Sequence, residues 1–311
     1  MDHPPGLPPT SVWIILGLAS WLCVSVWVVV GSRLWNREPV LPLARRRQVP
    51  WSGFDLLFVF AFFVLASGLM FAVIGHILGP NADEPAAGVG IAGVDVETSH
   101  AIVQLFRGGN PWMILFCVVS AVVVAPIVEE FLFRVLLQGW LERMDRQLRP
   151  MLPVLRRLVP WGVAPLVLSS LVFAMVHFRV ASPPMNTRYL LSMMVGNSLV
   201  GISTSVFAIL LLRIKNGATA SDLGFAGGKF PQDVCLGLAA AAGVIFPVFI
   251  LQAVMTAVLP KWIAADPLPL FCFAVALGFL YCRTHRVVAS IVLHMSLNAT
   301  SLVMLWFYML G

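Results

Sequence analysis

Three apolar segments of the chain, "VEEFLFR", "FAMVH" and "HMSLN", carry polar side chains that are one helical turn apart. Residues four positions apart lie on the same face of a helix. A charged side chain at the centre of a bilayer costs at least about 2.5 kcal/mol on insertion scales, so such groups need partners. The spacing therefore predicts one buried polar site that is built from three helices. Its members are Glu129, Glu130, Arg134, Phe173, His177, His294 and Asn298.

Carboxylates and imidazoles in such a site could hydrolyse a peptide bond. Glu129 or Glu130, together with His177, could hold a water and remove its proton, and a desolvated carboxylate is a stronger base than an exposed one. His294 and Asn298 carry N–H donors that could face the oxyanion of a tetrahedral intermediate. The chain contains neither the H-E-x-x-H motif of zincins nor the G-x-S-x-G motif of serine hydrolases.

Arg134 is predicted to pair with Glu130, one helical turn before it, which leaves Glu129 as the base. The pair alone could be a structural bridge, because ion pairs also hold membrane bundles together. A lone intramembrane histidine commonly makes a hydrogen bond between helices. The conjunction of two glutamates, an arginine, two histidines and an asparagine on three helices favours a functional site over packing.

Pro126 predicts a break in the helix one turn before the glutamates. Proline has no N–H group, so the carbonyl of Val122 loses its usual donor. A freed carbonyl inside a membrane needs another partner, often a water or a side chain. The sequence therefore predicts a small hydrated cavity beside the glutamates.

The composition of the chain indicates an integral membrane protein. Of the 311 residues, 59% are hydrophobic and 11% are charged, whereas a soluble domain has roughly 25% charged residues. Apolar runs long enough to cross about 30 Å of hydrocarbon predict an all-α polytopic membrane helix bundle of about eight transmembrane helices. The predicted spans are residues 12–30, 54–78, 112–137, 161–181, 189–212, 233–259, 268–282 and 287–310. The five cysteines form no C-x-x-C pair and are expected to be small buried hydrophobic residues.

The distribution of basic residues predicts the topology in the cell membrane. Fifteen of the 20 Lys and Arg residues fall in the loops 31–53, 138–160, 213–232 and 283–286. An excess of basic residues marks the cytoplasmic side, so both termini are expected outside and the site is expected to open toward the cytoplasm. The net charge of +6 is explained by this pattern, and no nucleic-acid partner is expected.

One geometric expectation conflicts with a shared site. The span 112–137 runs inward and the span 161–181 runs outward. At a rise of 1.5 Å per residue, Glu129 would lie on the cytoplasmic side of the midplane and His177 toward the outside, with an offset of about 10 Å. Helix tilt or slightly different helix boundaries would remove this offset.

Taken in order, the three segments resemble the motifs E-E-x-x-x-R, F-x-x-x-H and H-x-x-x-N of the CPBP intramembrane proteases, which include CAAX prenyl protease 2 and Abi-type bacterial proteins. The resemblance covers about residues 112–311 and implies a protease-like helical core there. Residues 1–111 would then hold two N-terminal spans and an outward-facing loop. Two features depart from the family pattern. Val135 stands where a glycine commonly follows the motif arginine, and 116 residues separate the second motif from the third, which is longer than usual.

The resemblance also implies roles for the site residues. Glu129 and His177 would activate water, while His294 and Asn298 would line the oxyanion site. The family has been described both as metal-dependent and as glutamate-dependent, so a divalent metal such as zinc is an open alternative. Its ligands would be Glu129, His177 and His294. The substrate would be a peptide or protein at the lipid bilayer, and it could be lipid-modified.

Two other functions remain open on the sequence alone. Intramembrane Glu, His and Arg residues also build proton relays, and helices broken by proline are common in transporters, so a proton-coupled transporter is an alternative. No inverted repeat is visible in the sequence, which weighs against it. A non-catalytic membrane scaffold that kept the motifs is the third possibility.

Overall fold

The structure is a computed structural model, and it describes residues 10–41, 43–44, 48–78, 110–152, 157–177, 187–225, 228–259 and 267–310. These residues form eight helices of at least 14 residues and contain no strand. The helices are α1 (Thr10–Trp35), α2 (Gly53–Leu78), α3 (Pro111–Leu148), α4 (Val163–Val176), α5 (Thr187–Asn216), α6 (Phe230–Val258), α7 (Pro267–Thr284) and α8 (Val288–Leu310). The all-α fold is the predicted one. Most of the predicted outward loop, residues 79–109, lies outside the described residues.

Seven of these eight helices are long and apolar enough to cross a bilayer. The eighth, α4, has 14 residues and is about 21 Å long at 1.5 Å per residue. In contrast, α3 has 38 residues and is longer than the hydrocarbon is thick. Its last ten residues, Gly139–Leu148, have the polar sequence GWLERMDRQL. The predicted bundle is confirmed, but the predicted span 161–181 forms a helix that ends at Val176.

The outer faces of the helices are apolar. Trp21, Phe54 and Leu65 are each at least 65% exposed, and many other large apolar side chains are exposed with them. Hydrocarbon solvates such a surface, whereas water would not, so this surface agrees with an integral membrane protein. The expectation that all five cysteines are buried is wrong for Cys235 and Cys272, which are exposed, and Cys272 lies beside an open space between helices.

The helix α3 departs from regular α-helical geometry just before the glutamates. A π-helical stretch, Ser120–Val124, precedes Pro126. In a π-helix each amide donates to the carbonyl five residues earlier. Pro126 therefore supplies no donor to the carbonyl five residues earlier, that of Ala121. Asn298 of α8 donates from Nδ2 to the Ala121 carbonyl at 2.8 Å. A side chain from a neighbouring helix thus supplies the hydrogen bond that this carbonyl would otherwise lack.

The helix α3 is the element that brings the motifs together. It packs against α4, α5, α7 and α8, while α7 packs on α4 and α8 packs on α6. Buried apolar side chains fill these contacts, among them Phe131 and Val135 of α3, Leu212 of α5, and Phe273 and Leu277 of α7. Lipid tails are as apolar as these side chains, so close packing and dispersion, rather than release of water, hold the helices together.

Candidate active site

Glu129 of α3 lies between the two motif histidines. Its Oε2 is 3.4 Å from Nε2 of His177, at the end of α4, and 3.7 Å from Nε2 of His294 on α8. The three side chains come from three different helices. The structure thus brings Glu129, His177 and His294 to one point, as the sequence predicted.

Hydrogen bonds on the far side of each imidazole ring indicate which nitrogen carries the proton. His177 Nδ1 lies 2.7 Å from the carbonyl of Phe173, which can only accept, so Nδ1 is the donor. His294 Nδ1 lies 3.0 Å from Glu130 Oε1 and donates to that carboxylate. In their neutral forms both rings therefore present an unprotonated Nε2 to Glu129. Three acceptor atoms that face one another need a proton, a water or a cation between them.

Glu130 and Arg134 form a buried ion pair behind this group. Arg134 Nε lies 3.3 Å from Glu130 Oε2, and both side chains are fully buried. Glu130 uses its other oxygen for His294, so one carboxylate bridges the guanidinium and the imidazole. The charges of Arg134 and Glu130 cancel. One proton shared among Glu129, His177 and His294 would then make the whole cluster neutral, which a membrane interior favours.

A chain of buried polar side chains extends the site along α3. Arg134 Nη1 donates to Ser169 Oγ at 3.5 Å, and Ser169 Oγ lies 3.3 Å from Gln138 Oε1, to which it can donate. Gln138 Nε2 donates to Glu142 Oε1 at 3.3 Å and to the carbonyl of Gly278 at 3.0 Å. Gln138 thus joins α3 to α4 and to α7, and it fixes the face of α3 that carries Arg134.

The chain ends at the turn between α7 and α8. Glu142 Oε2 lies 3.6 Å from Nδ1 of His285, and both side chains are buried. The backbone φ of His285 is 50°, a left-handed conformation that is uncommon for a residue other than glycine. The sequence analysis missed Gln138, Glu142 and His285. A signal was present, because Gln138 and Glu142 continue the spacing of four residues that begins with Glu130 and Arg134.

Phe173 packs against the charged groups of the site. Its ring is stacked on that of His177, with centroids 4.3 Å apart, and lies 5.8 Å from the ring of His294. The Arg134 guanidinium carbon is 5.3 Å from the same ring. An aromatic face attracts a cation and also shields it from lipid. These contacts fit the supporting role that the sequence suggested for Phe173.

Asn298 is placed differently from the other motif residues. Its contact with the Ala121 carbonyl holds α8 against α3 about two turns before Glu129. The amide of Asn298 has a second N–H group, so this contact does not test the predicted oxyanion role. It does show that Asn298 satisfies a backbone carbonyl that Pro126 leaves without its usual donor.

The expected 10 Å offset in depth between Glu129 and His177 is wrong. The helices α3 and α4 pack alongside each other, and the rings of Phe133 and Phe173 meet at 5.1 Å between centroids. The expectation assumed that the third span ends near residue 137. The helix continues through Leu148, so α4 begins beside a later turn of α3 and its last residue reaches the level of Glu129.

Glu129 and His177 form the open edge of the site. Their side chains are each 26% exposed, whereas the His294 side chain is 6% exposed and those of Glu130 and Arg134 are fully buried. A water or a peptide carbonyl would therefore meet Glu129 and His177 first. The buried members of the cluster hold this edge in place from behind.

The same residues bear on the metal alternative. Glu129, His177 and His294 carry oxygen and nitrogen donors of the kinds that bind zinc. Across the described ranges, however, no group of three or more His, Cys, Asp or Glu side chains is placed to hold a metal ion. The donor types fit a metal, and the metal requirement stays an untested expectation.

Comparison with known proteins agrees with the motifs. The family described as Rce1-like, type II CAAX prenyl endopeptidase, matches residues 111–300, which is more than half of the chain. No curated protein and no solved structure gives a significant match. The matched range contains every member of the site, from Glu129 to Asn298, and it agrees with the resemblance noted from the sequence. The chain therefore belongs to the Rce1-like family of type II CAAX prenyl endopeptidases.

Proposed function

We propose that this protein is an intramembrane endopeptidase that hydrolyses a peptide bond near the membrane with a water activated by Glu129 and His177. The observation that carries the proposal is the convergence of the Glu129 carboxylate with Nε2 of His177 and of His294. Family membership supports the protease class.

The first step is the attack of water on the carbonyl carbon of the substrate peptide bond. The water donates one hydrogen to Glu129 Oε2 and the other to His177 Nε2. The Phe173 carbonyl keeps the proton of His177 on Nδ1, so Nε2 is available as an acceptor. As the new C–O bond forms, one water proton passes to Glu129, which acts as the general base.

The second step requires donors for the oxyanion that forms. When His294 is protonated, its Nε2–H can donate to the oxyanion, while Nδ1–H stays bonded to Glu130. Glu130 Oε1 accepts that Nδ1–H and holds the ring in place. Asn298 could contribute its second amide hydrogen. A preorganised donor of this kind is worth about 2.7–4 kcal/mol of transition-state stabilisation.

The intermediate collapses when the C–N bond breaks and Glu129 returns its proton to the leaving nitrogen. The products are one peptide with a new carboxylic acid group and one with a new amine. Glu129 is then ionised again, and no reactant other than water is consumed. The same carboxylate thus serves first as base and then as acid.

The variant Glu129→Gln tests this assignment. Membranes that contain the wild-type or variant protein are incubated with membrane-anchored peptides, with and without an attached lipid, and the products are identified by mass spectrometry. We expect the variant to lose cleavage at least about 100-fold, because the general base is gone. Glu38→Gln, which removes an exposed carboxylate just after the end of α1, is the matched control. Cleavage at half the wild-type rate in Glu129→Gln would exclude this mechanism.

We further propose that the site opens toward the cytoplasm. The basic residues at the end of α3, Arg143, Arg146 and Arg149, support this orientation by the positive-inside rule. A cytoplasmic mouth of this charge would favour substrates with an acidic or carboxylate end.

Cysteine labelling tests the orientation. Met151 and Trp112 lie near opposite ends of α3 and are 75% and 77% exposed. Each is replaced by cysteine in a protein whose exposed Cys235 and Cys272 are serine. A membrane-impermeant thiol reagent added to intact cells should label Trp112→Cys and should not label Met151→Cys. The reverse pattern would place the basic end of α3 outside the cell.

One observation favours a second candidate function, a proton-coupled transporter. The buried chain of polar groups that runs from Glu129 to His285 resembles the relays of such proteins. The guanidinium of Arg134 interrupts that chain, because it does not give up its proton. Proteoliposomes loaded with a pH-sensitive dye would separate the candidates. Proton flux without peptide cleavage would support the transporter, and neither activity would indicate a non-catalytic scaffold.

A further inference from the structure

A large apolar cavity lies between α1, α6, α7 and α8. Its volume is about 1000 Å³, at the upper end of the range of small-molecule sites. Among the described residues that line it, most are aliphatic or aromatic and none is a carboxylate. The lining residues that matter here are Arg33, Val40, Leu41, Gly243, Ala276 and Phe279.

The contact between α1 and α6 forms one wall of this cavity. Trp27 Nε1 donates to the carbonyl of Gly243 at 2.9 Å, and Cys23 Sγ lies 3.7 Å from the same oxygen. A Cβ atom at Gly243 would lie 2.8 Å from Cγ1 of Val26, so glycine is what allows this close approach. The polar contacts fix α1 against α6 while the space beside α7 stays open.

Two arginines lie at one end of the cavity. Arg33, near the end of α1, lines the cavity and donates to the carbonyl of Val40 at 3.1 Å. Arg283, near the end of α7, donates from Nε to the carbonyl of Leu41 at 2.8 Å, and its guanidinium lies 6.0 Å from the Phe279 ring. Val40, Leu41 and Phe279 all line the cavity. The apolar space therefore has a cationic mouth.

We propose that this cavity binds one anionic phospholipid, with its acyl chains between the helices and its phosphate at Arg33 and Arg283. The apolar space, which opens to hydrocarbon, favours lipid acyl chains. The two guanidinium groups favour an anionic headgroup. A guanidinium carries five N–H donors and suits phosphate, so Arg33 can hold Val40 and still bind an anion. Free phosphate could not use the apolar volume. Anionic lipids are also concentrated in the cytoplasmic leaflet, where the arginine end of the cavity is expected to lie.

The test is a lipid titration of the protein purified in detergent. The Tm is followed as dioleoylphosphatidylglycerol or dioleoylphosphatidylcholine is added, and inorganic phosphate is added in a third series. We expect the anionic lipid to raise the Tm more than the zwitterionic lipid does, and phosphate alone to have no such effect. In Arg33→Gln the anionic lipid should need about a tenfold higher concentration for half of its shift, as expected for one lost charge-assisted contact.

Two further variants test whether the lipid response depends on this cavity. Arg213→Gln removes an exposed arginine that does not line the cavity, and it should respond to both lipids as the wild type does. Ala276→Trp fills the cavity from α7 and should abolish both responses. If that variant does not fold, Arg33→Gln decides the question by itself.

Three outcomes would overturn the proposal. They are equal responses to the two lipids, an equal response to phosphate, and an unchanged response in Arg33→Gln. The titration does not use peptide cleavage, so its result is independent of the proposed enzymatic function.

Discussion

Replacing Arg134 with methionine should strongly destabilise the helix bundle. The Arg134 side chain is fully buried, and its Nε lies 3.3 Å from the equally buried carboxylate of Glu130. Methionine has a similar length but no charge, so the buried Glu130 carboxylate would lose its guanidinium partner. Removal of one partner of a buried ion pair typically costs about 3–5 kcal/mol, and we expect a loss of that size in the free energy of unfolding.

The double variant Glu130→Gln/Arg134→Met separates stability from chemistry. It leaves no unpaired charge, and the amide oxygen of the introduced glutamine could still accept from Nδ1 of His294. We therefore expect most of the lost stability to return, since a buried ion pair and a neutral replacement are often similar in stability. Cleavage should stay reduced by about 100-fold or more, because a neutral amide would replace the carboxylate that His294 Nδ1 contacts behind the oxyanion site.

The assay is unfolding in mixed micelles by sodium dodecyl sulfate, followed by circular dichroism, with peptide cleavage measured on the same samples. Arg213→Met, which removes an exposed arginine at the end of α5, serves as the control and should leave unfolding unchanged within error. A loss below about 1 kcal/mol in Arg134→Met would show that the pair is not stabilising, as is usual for exposed pairs. Wild-type cleavage by the double variant would refute the role of Glu130.

Three other predictions concern two substitutions and the removal of metal. Gly278→Ala would place a Cβ atom 2.5 Å from Cδ1 of Leu166 and 2.9 Å from Oε1 of Gln138, so the unfolding assay should show a loss of about 1–3 kcal/mol from overpacking. Asn298→Ala removes the donor to the Ala121 carbonyl and should cost about 1–3 kcal/mol in the same assay. Under the glutamate mechanism, cleavage should survive dialysis against a chelator, and elemental analysis should find no metal at one equivalent per chain. Loss of cleavage with the metal, and recovery on adding zinc, would support the metal-dependent alternative instead.

The helical spacing of the motifs was enough to predict which residues meet. Glu130 and Arg134 are one turn apart on a single helix, so their pairing depends on local geometry alone. The convergence with His177 and His294 was predicted from the high free-energy cost of isolated polar groups in lipid. Each of these inferences needed residue types and spacing only.

The residues that the sequence analysis missed depend on the register between helices. Ser169 is one of two adjacent serines in an apolar helix, and nothing in the sequence indicates that Ser169, rather than Ser170, faces Arg134 and Gln138. The need for glycine at position 278 follows from how closely α7 approaches Gln138. The predicted depth of His177 was wrong for a related reason. The length of α3 could not be predicted from the end of its apolar run.

Two adjacent carboxylates at the end of an apolar run serve two different needs. Neighbouring residues on a helix point about 100° apart, so Glu129 and Glu130 point in different directions and reach His294 at different ring nitrogens. Glu130 points into the bundle, where it neutralises Arg134 and accepts from Nδ1 of His294. Glu129 points to the open edge and meets the Nε2 atoms of both histidines. The buried carboxylate fixes the charge and the tautomer of the site, and this leaves the accessible one as the group that can take a proton from water.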